Sequence, residues 1–173
     1  MASNRYAEFL PIIAKWIQQT LDASAGKSRS VESFHFLRLP HYFSEQLLST
    51  TNVVIGDRLP MPPLSALGLN EFAAFETQPM GGITYLDMYF LLPGGAADES
   101  LHFHELIHVI QWQVLGPKDF LLFYAAGLAE RGYSDSPLEA MAYDHQRRFD
   151  AGEPPYAVEA GVRAETLALK LTN

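Results

Sequence analysis

The run His104-Glu105-Leu106-Ile107-His108 combines residue types and spacing that point to one chemistry. Histidines four apart on a helix project from the same face one turn apart, so their imidazoles can converge on a single ion. Zinc suits such a pair, since it accepts nitrogen and carboxylate ligands in a tetrahedron. Glu105 is rotated by about 100° from His104. It can therefore sit beside the ion without binding it and take a proton from a water held there. With 6 His and 12 Glu in 173 residues, a scrambled chain would contain the pattern with a probability of roughly 0.014.

The neighbours of the run strengthen it. Phe103, Leu106, Ile107, Val109, Ile110 and Val114 make this helix apolar nearly all round. His104, Glu105, His108 and Gln111 nevertheless share one narrow arc, beside Trp112. Two histidines and a carboxylate on a buried helix are costly if left unpaired, and a metal would satisfy all three. A third protein ligand would leave one position open for water. Glu130, Asp135, Glu139, Asp144 and His145 all follow downstream. Glu139 has a competing explanation, because Ser136-x-x-Glu139 also reads as a capping box in which the carboxylate reaches back to the Ser136 amide. Spacing alone leaves the choice open.

The elements that must position these residues are legible in outline. Apolar residues at three- and four-residue steps predict a helix over 4–22, and ASAGKSRS (23–30) is a connector. Alternating aromatic and branched residues predict a strand over 31–39. Three prolines and a glycine make 59–69 irregular. A second strand is expected over 83–92, opened by Gly81-Gly82 and closed by Pro93-Gly94-Gly95. Helices follow over 98–115, ended by Gly116-Pro117, then 119–130 and 136–150, the last with Pro137 in its first turn. A final helix over 156–171 turns Val158, Val162, Leu167 and Leu169 to one side. The expected fold is α+β, mainly helical, in a single domain over 1–173. Its motif core spans about 53–150, with the terminal helices packed against it.

In these motifs the sequence resembles gluzincin-type zinc metallopeptidases, in particular the minimal bacterial domains known as DUF4157. The matching strings are LHFHELIHVIQW (101–112) and SPLEAMAY (136–143), preceded by the strand 82–92. The resemblance implies a zincin-like fold with an edge strand before the HExxH helix. It implies zinc held by His104, His108 and Glu139, and Glu105 as general base in peptide-bond hydrolysis. Tyr133, Tyr143 and His145 become candidates for stabilising the oxyanion. By the same resemblance, the edge strand would align an extended peptide or protein substrate. Larger gluzincins carry an aspartate four residues after the ligand glutamate to orient the first histidine. Here Tyr143 occupies that place, so the partner of His104 is unassigned.

Composition limits the alternatives. There are no cysteines, which excludes disulfides, thiolate zinc sites and cysteine nucleophiles. A net charge of −8 and the absence of a basic patch argue against nucleic acid or an anionic membrane as partner. No apolar run approaches the roughly 20 residues of a membrane span, and the amphipathic start lacks a signal peptide's apolar centre; a cytoplasmic protein is the expectation. His102 is read as a partly exposed helix residue, and His35 and His41 as core or surface residues. FLLFYAAGLA (120–129) reads as core or as a wall of the cleft, and the N-terminal helix as core. Three functions are compatible with these residues: a zinc peptidase, a zinc-binding interaction module without turnover, and a metal-free interaction protein. Retention of Glu105 beside the first histidine favours the first.

Overall fold

The computed structural model describes residues 5–172; Asn4, the expected start of the first helix, lies outside them. The fold is α+β, as expected, with a four-stranded mixed sheet against long helices. Helix α1 (Leu10–Ser24) buries Ile17 and Leu21 and sets Trp16 edge-on to Tyr85. Then come strand β1 (Arg29–Ser30), helix α2 (Glu45–Thr50) with Ser44 as its cap, and strand β2 (Asn52–Ile55). The irregular segment that follows includes the short helix α3 (Ala73–Thr77). Strands β3 (Gly82–Tyr85) and β4 (Met88–Leu91) lead into helices α4 (Glu99–Arg131), α5 (Pro137–Asp150) and α6 (Val158–Thr172). The sheet order is β1-β2-β4-β3, with β2 and β4 parallel and the other pairs antiparallel.

Four expectations need correction. The segment 31–39 is not a strand: Val31–Phe34 and Leu39–His41 form 3-10 turns, and His35 sits in the left-handed region at φ 54°. Its alternating aromatics serve another purpose, for Phe34 and Phe36 pack edge-on against the ring of His102 at centroid distances of 4.9 and 4.5 Å. His102 is accordingly fully buried rather than partly exposed. It accepts from the Tyr89 hydroxyl at 2.6 Å and points Nε2 at the Ala96 carbonyl at 3.2 Å. The segment 83–92 is not one strand but a hairpin, turned at Leu86 (φ 59°) and Asp87. Its turn is masked in the sequence because β4 is buried along its whole length and so does not alternate. Tyr89 and Leu91 belong to one apolar cluster with Phe103, Leu106 and Ile110 of α4, while Met88 and Phe90 belong to another with Ile17 and Leu21 of α1 and Trp112 of α4. In the last helix Val158 and Val162 are buried as expected, but Leu167 is half exposed.

Helix α4 organises the molecule. Asp98 caps it, accepting from the Ser100 and Leu101 amides. The expected break is present at Gly116 (φ 72°), immediately before Pro117, and divides α4 into two helical halves. Every residue from His102 to Trp112 is buried. The second half returns past the start of α5. Gly127 permits this approach, since a Cβ there would lie 2.9 Å from Pro137 Cδ. Among the described residues no helix is long and apolar enough to cross a membrane.

Candidate metal centre

The first half of α4 supplies His104, Glu105 and His108, and the first turn of α5 supplies Glu139; all four are at most 5% exposed. His104 Nε2 lies 3.1 Å from His108 Nε2. Glu139 Oε2 lies 3.3 Å from His104 Nε2, and Oε1 lies 3.3 Å from His108 Nε2. Three ligands on a tetrahedral ion with bonds of 2.0–2.1 Å would stand about 3.3–3.4 Å apart. Among the described residues, this is the group of histidine and acidic side chains whose donor atoms converge closely enough to hold a metal.

The hydrogen bonds around the cluster establish which atoms are free. Gln111 Nε2 donates to the Leu138 carbonyl at 3.0 Å, so its Oε1 faces His108 Nδ1 at 2.8 Å. Gln146 Nε2 donates to Ser100 Oγ at 2.8 Å, so its Oε1 faces His104 Nδ1 at 3.0 Å. An amide oxygen accepts only, so each Nδ1 carries the proton and each Nε2 offers a lone pair. The Tyr124 hydroxyl donates to Glu139 Oε1 at 2.7 Å, whereas Oε2 has no hydrogen bond. Two imidazole lone pairs and a carboxylate thus face one buried point with no proton donor between them. That donor set fits a divalent cation.

Without the ion, a proton must supply the missing positive charge. Burial pushes the pKa of His108 down, but the Glu139 carboxylate beside it outweighs burial and raises it to about 9. Burial likewise works against the charged form of Glu139, yet His108 and His104 hold it far below the usual carboxylate range. Glu105 behaves oppositely: its burial prevails over the attraction of the two histidines and raises its pKa. Its Oε2 accepts from Thr84 Oγ1 at 2.6 Å on β3. Gly82, two residues earlier, lies so close that a Cβ would collide with Glu105 Oε1 and come within 2.7 Å of Leu91 Cδ2.

The capping-box alternative for Glu139 fails, because Ser136 makes no side-chain cap and its Oγ is unpaired. Glu130, Asp135 and Asp144 are exposed. Tyr143 packs its ring on His104 at a centroid distance of 4.6 Å and lines the same recess as Tyr133. His145 is not brought to the cluster; its Nδ1 meets the Tyr156 hydroxyl at 2.7 Å and its Nε2 lies 3.3 Å from Glu165. Sequence reasoning missed Thr84, Tyr124 and Gln146. Gln146 follows Glu139 by seven residues, hence on the same face of α5, which is a signal it could have used. Nothing local marks Tyr124.

Two recesses meet at the centre. A polar cleft is lined by Gly81, His104, Tyr133, Tyr143 and Gln146. A deeper, mainly apolar chamber of about 100 Å³ is walled by α1, the 59–75 segment, β3 and the second half of α4. Gly82, Glu105 and Tyr133 border both. Residues of 120–129 wall the chamber rather than the polar cleft, and α1 contributes to the chamber as well as to the core. Comparison with protein-family models, with curated proteins and with solved structures returned no significant match.

Proposed function

We propose that this protein is a zinc-dependent hydrolase of peptide bonds, with His104, His108 and Glu139 as metal ligands and Glu105 as general base. The observation that carries the reading is the convergence of two Nε2 lone pairs and the unpaired Glu139 Oε2 on one buried point, each imidazole locked by a glutamine on its far side. Among the described residues the group stops at three ligands, and three with one open position is the pattern of hydrolytic zinc sites rather than structural ones. When bound, zinc would supply Lewis acidity, acidifying a water and polarising the substrate carbonyl.

The remaining work belongs to side chains of this chain. Glu105, raised in pKa by burial and held by Thr84, is suited to accept the water's proton and return it to the leaving amine. The Tyr133 and Tyr143 hydroxyls, both raised in pKa by burial and so kept protonated, line the cleft with His104 and Glu105 and would serve as donors for the developing oxyanion. The zincin-like character of the fold belongs to this same proposal.

Zinc analysis and the substitution Glu105→Gln test the reading. Purified from zinc-supplemented medium, the parent should carry about one zinc per chain, and a content under about 0.2 overturns the metal site. The variant should keep its zinc and lose cleavage of a peptide library that the parent cleaves. A zinc-loaded parent with no activity, matched by the variant, would leave a non-catalytic zinc module instead.

A further inference from the structure

We infer that Tyr124 is the positioning residue of the third metal ligand: its hydroxyl, set by a column of stacked aromatic rings, holds Glu139 Oε1 so that Oε2 is the oxygen offered beside the two imidazoles. The inference rests on the metal reading of the centre and is independent of what the centre hydrolyses. Each of the other three working side chains has a holder behind it: Gln146 for His104, Gln111 for His108 and Thr84 for Glu105. Among the described residues, Tyr124 is the side chain outside the two histidines that hydrogen-bonds Glu139, at 2.7 Å. A carboxylate only accepts, so the hydroxyl donates. Lone-pair density shared with that proton is less available to a cation, which leaves the unpaired Oε2 as the better ligand atom. Glu139 has no hold of this kind on its own helix, since Ser136 makes no side-chain cap.

The Tyr124 ring is itself fixed. It stacks on Phe120 at a centroid distance of 5.7 Å and an interplanar angle of 12°, and Phe75 meets it edge-on at 5.8 Å. Phe120 stacks in turn on Trp112 at 3.8 Å and 12°, and Trp112 Nε1 donates to the Thr84 carbonyl at 3.2 Å. Thr84 is the residue whose hydroxyl holds Glu105. One aromatic column thus joins the holder of the general base to the holder of the third ligand. On a straight helix Trp112 and Phe120 would stand about 12 Å apart along the axis. The break at Gly116-Pro117 turns the second half of α4 so that the rings meet, and this places a hydroxyl behind Glu139.

The test is a double-mutant cycle on zinc affinity, read by competition with a chelating dye of micromolar affinity. Tyr124→Phe keeps the ring and the column and removes the hydroxyl. It should weaken zinc about 10–100-fold in the parent. In the Glu139→Ala background, with no carboxylate left to hold, the same change should cost less than about twofold. With cobalt as the probe in place of zinc, Tyr124→Phe should also shift the visible ligand-field bands, because the released carboxylate rearranges around the ion. Should Glu139→Ala bind zinc too weakly for the dye, the cobalt bands decide. A Tyr124→Phe affinity equal to the parent's, or an equal loss in both backgrounds, overturns the inference and spares the metal site. A melting temperature that falls while zinc affinity and cobalt bands match the parent shows packing alone, and overturns it too. A parent that binds neither zinc nor cobalt removes the metal reading and this inference with it. Should Tyr124→Phe not fold, Phe120→Leu, which keeps the hydroxyl but frees the ring, takes its place in the cycle with the same expected directions.

Discussion

Zinc binding should be a proton exchange whose size follows from one geometric fact, the 3.3 Å approach of Glu139 to His108. In the metal-free chain His108 has a pKa of about 9 against an ordinary 6.5. At pH 7 it is therefore protonated, and a metal must displace that proton. Below pH 9 apparent zinc affinity should rise about tenfold per pH unit, so about a hundredfold between pH 6 and pH 8. Titration calorimetry at pH 7 in buffers of different ionisation heat should report at least one proton released per zinc. The same raised pKa affects stability without metal. Its contribution, on the order of 3 kcal/mol, is fully present below pH 6.5 and lost as pH rises through about 9. Metal-free protein should lose melting temperature over that window, and zinc-loaded protein should not. Glu139→Gln removes the charge that holds the proton, leaving burial to lower the pKa of His108, so the proton release at pH 7 should vanish. Release of less than about half a proton by the parent, or an affinity flat from pH 6 to 8, would refute the reasoning.

Gln146→Ala should weaken zinc about 10–100-fold by freeing His104 to rotate, and Gln146→Glu should restore most of it; competition with a chelating dye measures both. Gly82→Ala places a methyl against Glu105 Oε1, so turnover should fall at least tenfold while zinc stays bound. Unchanged turnover there would show that the position of Glu105 is less constrained than its contacts imply.

How much could be read in advance follows the range over which each signal acts. The HExxH helix, its Asp98 start and the break at Gly116-Pro117 were legible because spacing, capping and backbone restriction operate within a few residues. The hairpin in 83–92 was not, because β4 meets apolar neighbours on both faces and loses the alternation that would have exposed the turn. The 31–39 segment misled for a related reason: Phe34 and Phe36 are spaced to hold His102, a partner far along the chain.

By itself the sequence determined that two imidazoles and an acid would share one helical arc, because 3.6-residue geometry is local. Only the tertiary structure decided that Glu139 completes the group instead of capping its own helix. That required the return of α4 past α5 at Gly127 and the Tyr124 hydrogen bond. It also chose glutamines to hold both histidines and set an apolar chamber beside a polar cleft. These depend on how separate segments approach in space, where packing and hydrogen-bond satisfaction choose among residues that spacing leaves equivalent.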